Sequence, residues 1–203
     1  MKVYILDKVL EYSNDKSIID GLFQKIDSIL EKSDYYFSHL VIDDLEIYED
    51  YHDYFLDNIR SIREVNVVSS TLKELAENIM ITTIDYFNRA IPELNILSNE
   101  FYKTPTEQSW DKFSDLLEGI AWIIDSFASI DTNERLKDIV SSYEDWNYYA
   151  KDIYTLQELI EELEEILRNQ DLISIADILS YELTPLFNGM KEKLEGLVSK
   201  GDN

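Results

Sequence analysis

Apolar residues recur along this chain at two different spacings. In residues 1–69 they come in short bursts. Val3, Tyr4, Ile5 and Leu6 make Lys2 to Leu6 a short strand candidate. Ile18, Ile19, Leu22, Phe23, Ile26, Ile29 and Leu30 fall on one helical face. Tyr35 to Ile42 returns to strand-like residues, Asp43-Asp44 reads as a turn, and Leu45 to Tyr48 can pair back as a hairpin. Tyr51, Tyr54, Phe55 and Ile59 suggest a short helix, and Val65, Val67 and Val68 a last strand ending at Ser69-Ser70. The order strand, helix, two strands, helix, strand implies a mixed or antiparallel sheet covered by helices.

From Ser70 onward the spacing is helical. Ser70 or Thr71 can cap a first helix, with Glu74 three residues after Thr71 completing a capping box. Its face runs through Leu72, Leu75, Ala76, Ile79, Ile84, Phe87, Ala90 and Ile91, and Pro92 is expected to bend or interrupt it. A second helix is expected from Thr104-Pro105, burying Trp110, Phe113, Leu117, Ile120, Ala121, Ile124 and Phe127. A third is expected over residues 133–149 and a fourth over residues 155–168. A fifth is expected over residues 172–197, with a kink near Pro185. Short connections imply antiparallel neighbours in a bundle. The expected fold is α+β but mostly α. A small α/β domain of residues 1–69 packs on a helical bundle of residues 70–200, with no Gly/Pro/Ser-rich linker between them.

Charge changes the picture most. The chain has 42 Asp plus Glu against 18 Lys plus Arg, a formal net charge of -24 in 203 residues, yet 45% of it is hydrophobic. That excludes an acidic disordered tail. An acidic shell repels phosphate backbones and anionic membranes, so neither nucleic acid nor membrane is an expected partner. There is no cysteine, which removes thiolate chemistry and fits a reducing, cytoplasmic setting. The N-terminal stretch lacks a basic segment followed by a long apolar one, so no secretory signal is expected.

Catalytic signatures are sparse. The two histidines, His39 and His52, both precede residue 70, so the Glu-x-x-His pairs of a di-iron bundle are absent. No zinc motif, phosphate-cradling loop or nucleophile elbow occurs. The densest acid cluster is Glu158, Glu161, Glu162, Glu164 and Glu165, with Asp177 in the next helix. Glu161, Glu162, Glu165 and Asp177 resemble the magnesium site of the all-helical nucleoside triphosphate pyrophosphohydrolases. That family pairs a Glu-Glu-x-x-Glu helix with a Glu-x-x-Asp helix. Ser174 stands here where the family has the second helix's Glu. The resemblance implies an alternative reading in which Mg²⁺ on these acids supports hydrolysis of a nucleoside triphosphate.

Aromatic residues among the acids point to an interface instead. Glu118, Trp122 and Asp125 form an i, i+4, i+7 stripe in a very apolar helix. Tyrosines cluster at Tyr48, Tyr51 and Tyr54 and again at Tyr148 and Tyr149. Phenol rings with a polar tip suit protein contacts. The segments Trp110-Asp111-Lys112-Phe113, Leu117-Glu118-Gly119-Ile120 and Ile175 to Pro185 resemble uncharacterised acidic helical proteins of low-GC Gram-positive bacteria. The expected function is a non-enzymatic interaction or regulatory protein without a cofactor and with a basic protein partner. The helical faces also allow a homodimer.

Overall fold

A computed structural model describes residues 1–201. It divides into two compact units, Met1–Leu75 and the chain from Ala76 onward. The first holds a five-stranded mixed sheet and the second is mostly helical.

The strands are β1 (Lys2–Ile5), β2 (Lys8–Glu11), β3 (Tyr35–Ile42), β4 (Leu45–Ile47) and β5 (Glu64–Thr71), in the order β2-β1-β5-β3-β4. β1 and β5 are parallel and the other pairs antiparallel. Val65 and Val67 alternate inward on β5, which therefore sits at the centre of the sheet. Val3, Ile5, Leu40 and Ile42 join them on the buried face. Helices α1 (Ile19–Leu30) and α2 (Tyr51–Asn58) add Leu22, Ile26 and Phe55 to this core. Asp43 and Asp44 form the expected two-residue turn, with Ile42 opposite Leu45. Both have positive φ, 46° and 71°, as a type I′ hairpin requires. The Asp43 carboxylate then accepts from the backbone N–H groups of Arg63 and Glu64, at 3.1 and 2.9 Å, tying this turn to the start of β5.

One strand escapes the sequence reading. β2 pairs with β1 across a tight turn in which Leu6 has φ 51°. Leucine seldom adopts that conformation, so the usual Gly or Asn signal is missing.

In the helical unit four expectations change. α3 (Leu72–Phe101) runs 30 residues without interruption at Pro92. Pro92 is exposed, so the carbonyl left without its N–H partner can be hydrated. The expected cap does form: Thr71 N–H donates to Glu74 at 2.7 Å, and Glu74 N–H donates back to the Thr71 hydroxyl at 3.2 Å. α4 (Glu107–Asp131) starts two residues later than expected, because Thr106 and Ser109 make a reciprocal capping box. Its buried face is Phe113, Leu116, Ile120, Ile123, Phe127 and Ile130, leaving Trp110 and Ala121 exposed. Two overlapping apolar stripes exist in this helix, and the one that includes Ile130 is the one buried.

The expected third and fourth helices are one. A four-residue turn of helix, α5 (Leu136–Ile139), precedes α6 (Tyr143–Asn169), whose N-cap Ser142 accepts from Asp145 N–H at 3.2 Å. Trp146 is fully buried at its start and donates through Nε1 to Asp131 at 2.9 Å. α7 (Leu172–Asp177) continues through a π-helical stretch, Ile178–Leu183, into α8 (Thr184–Gly201). Pro185 lies two residues beyond the end of that stretch. The hydroxyl of Thr184 donates to Leu179 O at 2.8 Å, and its N–H bonds the same carbonyl. Widening the helix by one residue relieves the site where proline cannot donate.

Candidate functional site

α6 presents the most distinctive surface of the helical unit. One side is core: Trp146, Tyr149, Ile153, Leu156, Leu159 and Leu163. The other side exposes Tyr148, Tyr154, Glu158, Glu161, Glu162 and Glu165. Helical spacing aligns Tyr154, Glu158, Glu161 and Glu165 in one row, with Glu162 one turn beyond Glu158. Lys151 Nζ lies 5.1 Å from the Tyr148 ring centroid, and the Tyr148 hydroxyl reaches Glu144 at 3.4 Å. Glu164 pairs with Arg168 at 3.5 Å. Among the described residues, Glu158, Glu161, Glu162 and Glu165 take part in no ion pair.

The magnesium constellation does not assemble. Among the described residues no group of three His, Asp or Glu side chains is placed to hold a metal ion. Asp177 instead accepts from the Tyr102 hydroxyl at 2.5 Å, linking the end of α3 to α7. That bond to the carboxylate pushes the Tyr102 phenol above its ordinary range. Ser174 is occupied locally. Its N–H and hydroxyl donate to the N-cap Asp171 at 3.1 and 2.7 Å, which holds the Asp171 carboxyl below its ordinary range. A helix cap occupies the place of the expected ligand.

The expected tyrosine surface is only partly surface. Tyr149 is 3% exposed, packed beside Phe127 and Trp146, so it belongs to the core and not to an interface. Burial and the neighbouring Asp152 carboxylate push its phenol up. Its neighbour Tyr148, about 100° further round the helix, is 47% exposed. In the sheet unit Tyr48 is exposed and stacks on His39, with ring centroids 4.5 Å apart. Tyr51 and Tyr54 are half-buried against the core. Tyr51 donates to Tyr48 O and meets Phe37 edge-on. His52 pairs with Asp20 at 3.1 Å.

Between α3 and α4 lies a groove that sequence periodicity did not reveal, with a volume of about 250 Å³. Ala90, Leu94, Leu97 and Leu116 line its apolar part, and Tyr86, Arg89, Glu93, Lys112 and Asp115 supply the polar groups. Gly119 makes it possible. A Cβ there would sit 2.0 Å from the Tyr86 hydroxyl oxygen, so only glycine admits the ring this close to α4. A lone glycine inside so apolar a helix was the available signal. Glu118 and Trp122 flank this approach. Trp122 is partly exposed, its ring 6.3 Å from that of Tyr86. Burial pushes the Tyr86 phenol up; Arg89 opposes that shift and Asp115 adds to it.

No helix among the described residues is long and apolar enough to cross a membrane. No curated protein and no solved structure matches the chain. The sheet unit matches the family model described as TP0873 N-terminal domain over residues 1–71. The helical unit matches the domain of unknown function DUF8042 over residues 78–193, more than half of the chain. The helices α3, α4 and α6, with the groove and the exposed face described above, lie largely within that match, and the chain belongs to the DUF8042 family.

Proposed function

We propose that the protein is a non-enzymatic interaction or regulatory protein that receives a basic segment of another protein along the exposed face of α6. One observation carries the reading. Tyr154, 58% exposed, shares a helix face with four glutamates that have no cationic partner among the described residues, and Tyr148, 47% exposed, lies earlier on the same helix. Exposed tyrosines supply contact area at little conformational cost, and the glutamates select a cationic partner. The net charge of -24 steers such a partner inward and turns nucleic acid away. Self-association would set like charge against like, so the partner is a different chain. The cysteine-free composition supports a reducing, cytoplasmic setting.

Immobilised protein challenged with a soluble lysate tests this. The comparison is between low and high salt, and between the natural chain and a Glu158→Gln, Glu161→Gln, Glu162→Gln, Glu165→Gln variant. A specific protein held at low salt, released at high salt and not held by the variant is the expected result. No specific protein at low salt, or retention indifferent to the four substitutions, contradicts the proposal.

A further inference from the structure

The α3–α4 groove has a charge pattern that the α6 face does not explain. Each wall carries one cation and one anion: Arg89 and Glu93 on α3, Lys112 and Asp115 on α4. Lys112 is committed to Glu100 at 3.0 Å. Arg89 is not committed. Its Nε reaches only the backbone oxygen of Asp85, at 3.3 Å, and among the described residues it forms no ion pair. Asp115 and Glu93, which line the same groove, likewise form none among the described residues. The Tyr86 hydroxyl makes no hydrogen bond among the described residues. One unpaired cation, two unpaired carboxylates and an unused hydroxyl therefore line the groove beside the apolar surface of Leu94, Leu97 and Leu116.

We infer that this groove binds a small zwitterion with an apolar side chain, of the chemical class of a free aliphatic or aromatic α-amino acid. The ligand carboxylate meets Arg89 and the Tyr86 hydroxyl, the ammonium meets Asp115, and the side chain covers the leucines. Size agrees. The volume of about 250 Å³ exceeds the ~150 Å³ that takes one benzene ring, and falls just short of the ~300 Å³ at which drug-sized pockets begin. Charge agrees as well. A simple anion would enter against the field of a chain of net charge -24, and a simple cation would leave Arg89 unmatched. A neutral molecule with both charges satisfies each wall. The backbone amides of a peptide segment carry neither charge at that point, so the site is distinct from the docking face on α6.

The test uses the full chain, isotope-labelled, with NMR titrations of L-leucine, N-acetyl-L-leucine and L-leucinamide. The two derivatives remove the ammonium and the carboxylate in turn. The expected result is that leucine shifts the resonances of Ala90, Leu94, Leu97 and Leu116, and that each derivative binds about tenfold more weakly or worse. Arg89→Gln should abolish the preference for leucine over leucinamide and keep that over N-acetyl-leucine. Asp115→Asn should do the reverse. Both side chains are exposed, so both variants should fold, and unchanged spectra outside the groove will show it. Equal binding of the three compounds would reduce the groove to an apolar crevice and overturn the inference. So would the absence of groove shifts with leucine at millimolar concentration.

Discussion

Gly119→Ala tests how α3 and α4 meet. Two terms oppose each other. Replacing an interior helical glycine by alanine gains about 1 kcal/mol of helix propensity. Against that, the new Cβ would lie 2.0 Å from the Tyr86 hydroxyl oxygen, 2.4 Å from Cζ and 2.6 Å from Cε2. Forcing an extra methyl group into such contact costs about 1–3 kcal/mol as the ring and helix shift. The sum runs from neutral to about 2 kcal/mol destabilising. In a Tyr86→Leu background all three offending atoms are gone, and the same substitution should stabilise by about 1 kcal/mol. The reversal of sign is the sharp expectation. Urea unfolding followed by tryptophan fluorescence measures it, because Trp110, Trp122 and Trp146 are the chain's three tryptophans and all lie in the helical unit. If Gly119→Ala stabilises equally in both backgrounds, the close approach of Tyr86 to α4 is wrong.

Two further substitutions probe the core and its titration. Asp131→Ala strips the acceptor from the fully buried Trp146 indole and should cost about 1–3 kcal/mol, with Asp131→Asn costing less because it keeps an oxygen; equal stabilities would show that the bond contributes nothing. The Tyr149 phenol is pushed up in the folded state, so its neutral form binds a proton that the unfolded chain has already released. Its contribution is complete below the ordinary tyrosine pKa of about 10 and is lost as pH rises above it, at a slope of up to about 1.4 kcal/mol per pH unit. Tyr149→Phe should flatten this alkaline loss in denaturation series taken on both sides of that pH, and an unchanged slope would refute the assignment. Tyr102→Phe should act in the same window and the same direction, through its bond to Asp177.

Much of the architecture was legible because burial imposes a period. The alternation of Val65 and Val67 marked the central strand, and Thr71 with Glu74 marked the start of α3. Where the reading failed, the local signal was absent or doubled. Leu6 turns a hairpin with no turn residue. Pro92 sits on the solvent side of a helix it was expected to break. α4 carries two overlapping apolar stripes, and periodicity alone cannot say which one meets its neighbours. The site was less legible than the fold. Spacing puts Glu161, Glu162 and Glu165 near one another on α6, but it says nothing of Asp177, which a tyrosine 75 positions away occupies. The groove depends on which α4 stripe is buried and on Gly119 facing Tyr86, and both are long-range facts.

The central claim is that the exposed face of α6 recruits a basic protein by electrostatic attraction. The most direct measurement is the association rate constant of the captured partner as a function of ionic strength, for the natural chain and for the four-glutamine variant of α6. Steered association slows steeply as salt screens the charges. The natural chain should therefore show a rate that falls markedly with added salt, and the variant a slower rate with a shallower dependence. A rate that ignores both salt and the four substitutions would contradict the account.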